Sequence, residues 1–480
     1  MATLPNFASL RSFKAPDILR NPFRPVYLLG ALLIVVAALL GAATPILVNL
    51  MNGSLGKLVA LPAALMIGLL IIYDRKLTLL MIIVLRASGD NVLELTRFSI
   101  GSYPLGIGGV INGMVIVLAI MLVLERPGNM PRRGYTAWWP FLLLTLLGMI
   151  LSPERGEAAR LFLTQVSYFA MFVGGYYCVR TREDFRACLK LVMWSSAIPV
   201  VFAFVSMAMA GGHIGGEFRL RSTFGHPNVL AFYLTVVIAL AFYLLKTLPA
   251  NATMRVRVFM SLYLIVLLSL LMLTKTRSAW SAVAFAFGLY ALIFERRYLI
   301  YMGVLGAVGL LIPGVGDRLL ELGSGNEVTI YANLNSFAWR VYLWQTGIDY
   351  MQPLSFLTGN GLQSFIKYSV IFFPFAGKIN YGAHSVYVQL LFELGVFGLI
   401  TFFWLAGSMM RQLWALLKLD RLAGYTLLVL VANLLVCSFS DNMFYYLSYN
   451  WYLWFAVGAG CAVCAHNVPA AQPAPVRYSA

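Results

Sequence analysis

Arg221, Arg277, Arg340 and His384 each stand at the edge of a long apolar run. An arginine keeps its charge, and its planar fork donates paired hydrogen bonds to phosphoryl oxygens. Two or three such side chains could hold a pyrophosphate without a metal ion. Lys275 and Arg219 neighbour them in sequence and extend the same cationic set. A histidine can act as a general base near neutral pH, so His384 would either take a proton from an acceptor hydroxyl or orient that hydroxyl by a hydrogen bond. There is no Asp-x-Asp pair and no P-loop, so metal–nucleotide chemistry has no visible home, and no metal ion or cofactor is expected. Plainer readings exist for each residue. Arg221 and Arg277 could snorkel to lipid headgroups, Arg340 could pair with Asp349 or Glu327, and His384 could be a helix-end residue satisfied by its neighbours.

The elements that would position these residues are hydrophobic helices. Of 480 residues, 61% are hydrophobic and 11% charged, with a mean hydropathy of +0.82. Soluble domains are about half apolar and a quarter charged. The apolar runs are continuous rather than alternating, which favours helices over a barrel. An all-α polytopic integral membrane protein is predicted. At roughly 20 apolar residues per span, about 12–14 transmembrane helices fit. Candidate runs lie near 28–50, 56–73, 77–95, 105–124, 136–152, 161–179, 187–210, 229–245, 258–274, 278–294, 298–312, 384–407, 424–440 and 447–466. The run at 77–95 is weak because Arg86, Asp90 and Glu94 interrupt it. Residues 1–26 form a cytoplasmic or interfacial leader, 27–312 a transmembrane bundle, 313–383 one long periplasmic segment carrying short helices, 384–466 the C-terminal helices and 467–480 a cytoplasmic tail. Gly109 and Gly113 have the spacing of a close helix contact, and Phe372–Phe375 reads as a loop dipping into the membrane interface.

Charge sets the orientation. The formal net charge is +17. On a soluble protein it would point to nucleic acid; here it is cytoplasmic anchoring, and no nucleic-acid partner is expected. With both termini inside, most of the 35 basic residues fall on the inner side. Arg219, Arg221, Lys275, Arg277, Arg318, Arg340, Lys367 and Lys378 then fall outside, against the usual bias, and need another reason to be there. The cysteines, Cys178, Cys188, Cys437, Cys461 and Cys464, lie in or beside apolar runs and predict no disulfide framework. Ala465 between Cys464 and His466 excludes haem attachment.

The motifs resemble those of the O-antigen ligase/polymerase superfamily of bacterial membrane glycosyltransferases, most closely its O-antigen ligases. The matching pieces are Arg221–Asn228 (RSTFGHPN), Thr274–Trp280 (TKTRSAW), Arg340 with Trp344, Gly359–Gly361 (GNG), Ala383–Tyr387 (AHSVY) and Glu393–Gly395 (ELG). Ser385 stands where relatives often carry Asn. The resemblance implies transfer of a glycan from an undecaprenyl-pyrophosphate-linked donor to a periplasmic acceptor, the lipid A–core oligosaccharide in ligases, at the Gram-negative inner membrane. It implies Arg221 and Arg277 on the pyrophosphate, Arg340 and His384 in the site, and a metal-independent inverting displacement. A polymerase or a protein O-oligosaccharyltransferase would share this site. A transporter or flippase of lipid-linked glycans would instead place ionisable residues at the bilayer midplane and show repeated halves.

Overall fold

A computed structural model describes residues 74–91, 97–100, 103–209, 218–311, 316 and 334–466. The leader, the runs at 28–50 and 56–73, much of 313–333 and the tail from 467 lie outside the described residues.

The chain is an all-α polytopic membrane protein. In order, the helices that matter here are α1 (Arg75–Arg86), α2 (Ile107–Glu125), α3 (Arg132–Ile150), α4 (Arg155–Cys178), α5 (Arg182–Trp194), α6 (Ala197–Met209), α7 (Pro227–Lys246), α8 (Met254–Leu273), α9 (Arg277–Ile293) and α10 (Arg297–Leu310). The short helices α11 (Ser336–Asp349), α12 (Ser355–Thr358) and α13 (Ser364–Phe372) follow. The chain then continues through α14 (Val386–Trp414), α15 (Leu416–Leu419), α16 (Arg421–Cys437) and α17 (Leu447–Ala465). One antiparallel ribbon, Arg97–Ile100 against Tyr103–Gly106, precedes α2. Among the described residues, five stretches are long and apolar enough to cross a membrane: Gly108–Glu125, Arg182–Met209, Pro227–Lys246, Met254–Leu273 and Val386–Leu419. A helix suits that environment because its backbone groups bond within the segment.

Local sequence explains where these helices begin. Thr181 and Asp184 make a reciprocal capping box at α5. Asp420 caps α16 by accepting from Ala423 N at 2.9 Å. Asn335 caps α11, its Oδ1 accepting from Phe337 N and Ala338 N at 3.0 and 2.8 Å. The run at 187–210 is two helices, α5 and α6, joined through Ser195 and Ser196. In the run at 77–95, helix α1 stops at Arg86, and a buried ion pair of Arg86 and Asp90 (2.8 Å) follows.

Helices α7 and α17 form the centre of the bundle and are almost wholly buried. A second, smaller core gathers Leu343, Met351, Phe365, Phe373, Ala376 and Ala383 under Phe392. It ties α11 and α13 to the top of α14. Phe373 is buried in that core, while Phe375 is exposed, so the aromatic stretch folds partly onto α11 rather than lying wholly on an interface. Gly109 and Gly113 meet nothing within 4 Å, so their spacing makes no close contact among the described residues.

Candidate active site

The loop before α7 is held from two sides. Leu220 N donates to Leu273 O at 3.0 Å, and Thr223 Oγ1 donates to Ala87 O at 2.7 Å. Ser222 between them takes a left-handed φ of 52°. The result turns Arg221 outward, exposed. Arg219 points the other way. Its Nε donates to Thr274 O at 3.0 Å, and its Nη2 donates to Asn228 Oδ1 and Thr276 Oγ1 at 2.7 and 3.1 Å. Arg219 is thus a stitch between the loop and the 274–276 turn. Lys275 lies in that turn with a left-handed φ of 52°, and its side chain is buried.

The turn delivers Arg277 as the first residue of α9, where Nη2 donates to Ser336 Oγ at 2.7 Å. Ser336 opens α11, one turn before Arg340. The Arg340 guanidinium donates to the Ser440 carbonyl, so it is committed to the 438–441 turn rather than to Asp349. Four residues on, Trp344 Nε1 donates to Ala383 O at 2.5 Å.

His384 follows Ala383 with φ 49°. Its ring meets the Trp339 ring edge-on at 6.2 Å. Beyond it, Ser385 caps α14, and Val386 N donates to Ser438 O at 2.8 Å. Burial, then the Arg340 charge, then His226, push the His384 imidazole down to about 4. At neutral pH it is therefore an unprotonated ring beside the Arg340 cation, able to accept a proton or a hydrogen bond.

Two residues join this group without having been singled out in sequence. Asp441, 2% exposed, accepts from Ser278 Oγ at 2.7 Å, Tyr446 O–H at 3.0 Å and Asn228 Nδ2 at 3.3 Å. Burial raises its carboxyl against the opposing pull of Arg340. His226 caps α7, its Nδ1 accepting from Asn228 N at 3.1 Å. Partial burial, then Arg219 and Arg221, lower it. The signal for Asp441 was its place: only a few residues separate the apolar runs that end at 440 and begin at 447, so it had to lie on the same face as the arginines. His226 sits inside the RSTFGHPN motif itself.

A polar network braces the site from behind. Gln363 Nε2 and Gln389 Nε2 both donate to Tyr445 O–H at 2.9 Å. Gln389 Nε2 also donates to Glu393 at 2.9 Å, and Asn442 donates to Gln389. This fixes α13, α14 and the 441–446 turn relative to one another.

The geometry defines a class: a helical membrane protein with a neutral imidazole and several guanidinium groups gathered at one end of the bundle. Residues 262–403 match the family model described as O-antigen ligase, and this match supports a relation to the O-antigen ligase superfamily. The match supports glycosyl transfer as the activity, and it spans Lys275, Arg277, Arg340 and His384 but not Arg219, Arg221 or Asp441. Comparison with curated proteins finds no match.

Proposed function

We propose that the protein moves a glycan from undecaprenyl pyrophosphate to lipid A–core oligosaccharide on the periplasmic side of the inner membrane. What supports this reading is Arg340 beside a neutral His384, with Arg277 bonded to Ser336 one turn before Arg340 and Arg221 acting on His226. In this reading Arg221 and Arg277 hold the donor pyrophosphate, and Arg340 adds positive charge beside it. Charge that develops on the departing phosphate oxygen as the anomeric C–O bond breaks meets fixed cations, the general form of electrostatic transition-state stabilisation. The acceptor hydroxyl oxygen attacks the opposite face of the anomeric carbon, which inverts its configuration. His384 takes the hydroxyl proton, and pyrophosphate leaves on its lipid. Arg277 exchanges its Ser336 hydrogen bond for a phosphate oxygen when donor binds. Arg219 and Lys275 shape the turn under the phosphates.

The test is transfer by the purified, reconstituted protein given undecaprenyl-pyrophosphate-linked glycan and lipid A–core, with EDTA present. The expected outcome is glycosylated core. His384→Ala is expected to reduce the rate by about 100-fold or more, and Arg221→Ala or Arg277→Ala by about 10–100-fold, with normal folding. Glycan that lengthens on the carrier instead would make the enzyme a polymerase. Lipid-linked glycan crossing liposomes without any transfer would sink the enzyme reading.

A further inference from the structure

His384 occupies a backbone conformation that a side chain with a Cβ does not favour. Such a residue persists where its surroundings hold it from both sides. On the C-terminal side the hold comes from α16: Val386 N donates to Ser438 O at 2.8 Å, and Ser385 Oγ donates to the same carbonyl at 3.3 Å. On the N-terminal side Tyr381 N donates to Ser369 Oγ at 2.8 Å, and one further side chain holds the residue next to His384. Trp344 Nε1 donates to the carbonyl of Ala383, the residue immediately before His384, at 2.5 Å. Ala383 is fully buried, so water would not readily replace a lost donor there.

The usual reading of a tryptophan near a membrane surface is an interfacial anchor, its ring at headgroup level and its N–H toward water. Trp344 does not fit that description. It is 8% exposed, its ring packs edge-on against Phe337 and Phe439 at 6.2 and 5.6 Å, and its N–H turns inward. The aromatic partner of His384 is Trp339, not Trp344. Trp344 therefore acts on His384 only through the backbone. It also shares a helix with Arg340, one turn earlier, whose guanidinium holds the Ser440 carbonyl. Helix α11 thus grips both strands of the His384–Ser438 junction.

We propose that Trp344 is a positioning residue: its indole N–H, through the Ala383 carbonyl, sets the left-handed backbone of His384 and with it the place of the imidazole. Its part in transfer rests on the function proposed above, but its part in placing His384 does not.

The deciding variant is Trp344→Phe in the full-length protein in lipid nanodiscs, since phenylalanine keeps the packing and removes the N–H. Reaction of His384 with diethyl pyrocarbonate, followed by peptide mass spectrometry, reads the placement of the ring without any glycan. His226, on the same face, is the reference. The expected result is severalfold faster modification of His384 with His226 unchanged. In the transfer assay kcat falls about tenfold or more at an unchanged KM for donor. A wild-type rate at His384 in folded Trp344→Phe overturns the proposal, and so does an equal rise at both histidines, which would mean general loosening. If Trp344→Phe does not accumulate folded, β-(3-benzothienyl)alanine at position 344 replaces the N–H by sulfur at nearly constant volume, and the same two rates decide. Should no glycan be transferred by the wild type, the modification rates still decide whether Trp344 places His384.

Discussion

The protonation of His384 gives the sharpest expectation at the level of single residues. An ordinary imidazole titrates near 6.5; this one is pushed down to about 4 by burial, Arg340 and His226. A general base works unprotonated, so kcat/KM should stay flat as pH falls through 6.5 and drop only toward about 4. An acid limb near 6.5 would show that His384 is solvated and unpaired with Arg340. Removing that charge in Arg340→Gln should move the limb upward. The same shift acts on stability. Because the folded ring binds its proton more weakly than the unfolded one, His384 contributes stability above about 6.5 that is lost as pH falls from there toward 4. Asp441 makes a second case. Its three donors come from α7, α9 and the turn before α17, and leaving buried donors unpaired costs about 1–3 kcal/mol each. Asp441→Leu should therefore lower the unfolding free energy by about 3 kcal/mol, read as a lower melting temperature in detergent. Asp441→Asn keeps most of the bonds but loses the charge facing Arg340, and transfer should fall while the melt stays close to wild type. Arg221, Arg277, Arg340 and His384 were legible in sequence because a charge bordering an apolar run is conspicuous. Asp441 was not, since its meaning lies in partners 163 and 213 residues away.

At the level of elements, two short motifs explain each other. Helix α14 breaks at Gly395, whose φ is 67°. At that break Asn360 N and Gly361 N donate at 2.9 Å to the carbonyls of Phe392 and Glu393. The Gly359–Gly361 turn is therefore docked into the kink. A Cβ on Gly395 would lie 2.1 Å from Leu357 O, and one on Gly359 would lie 2.2 Å from Glu393 O. Both obstacles are backbone and cannot swing aside. Gly395→Ala combines that clash with a left-handed φ and should destabilise by about 3 kcal/mol or more. The assay is thermal unfolding in detergent, with Gly109→Ala, which meets open space, as the control expected to stay within about 0.5 kcal/mol. An unchanged melt for Gly395→Ala would mean that α14 can straighten without loss. In sequence the run at 384–407 reads as unbroken, because hydropathy records apolar character and is blind to a φ angle. The two motifs were visible separately; that one is the socket of the other was not.

At the scale of the whole molecule, the tightest joint among the described residues is between α4 and α17. A Cβ on Gly175 would fall 2.0 Å from Phe455 O, and one on Gly458 would fall 2.0 Å from Phe172 O. The two backbones touch through reciprocal glycines, as membrane helices do when packing rather than the hydrophobic effect drives association. Nearby, Arg86 pairs with Asp90 at 2.8 Å, lies over the Trp451 ring at 5.7 Å, and carries α1 onto α17 beside the loop that presents Arg221. The site is thus hung from a bundle whose spacing these glycines set. Most helices from residue 107 onward were readable, in order, from continuous apolar runs, although the run at 187–210 is two helices. Their partners were not, because every face of a membrane helix looks alike to a hydropathy count. The sequence drew attention to Gly109 and Gly113, yet Gly175 and Gly458 bear the contact. Gly458→Leu should force α4 and α17 apart, with a cost of about 3 kcal/mol or more, and the protein should lose its monodisperse peak in fluorescence-detected gel filtration. Gly113→Leu, facing open space, should keep that peak. If Gly458→Leu runs as a sharp peak and still transfers glycan, the α4–α17 joint is not what holds the arginines and His384 together.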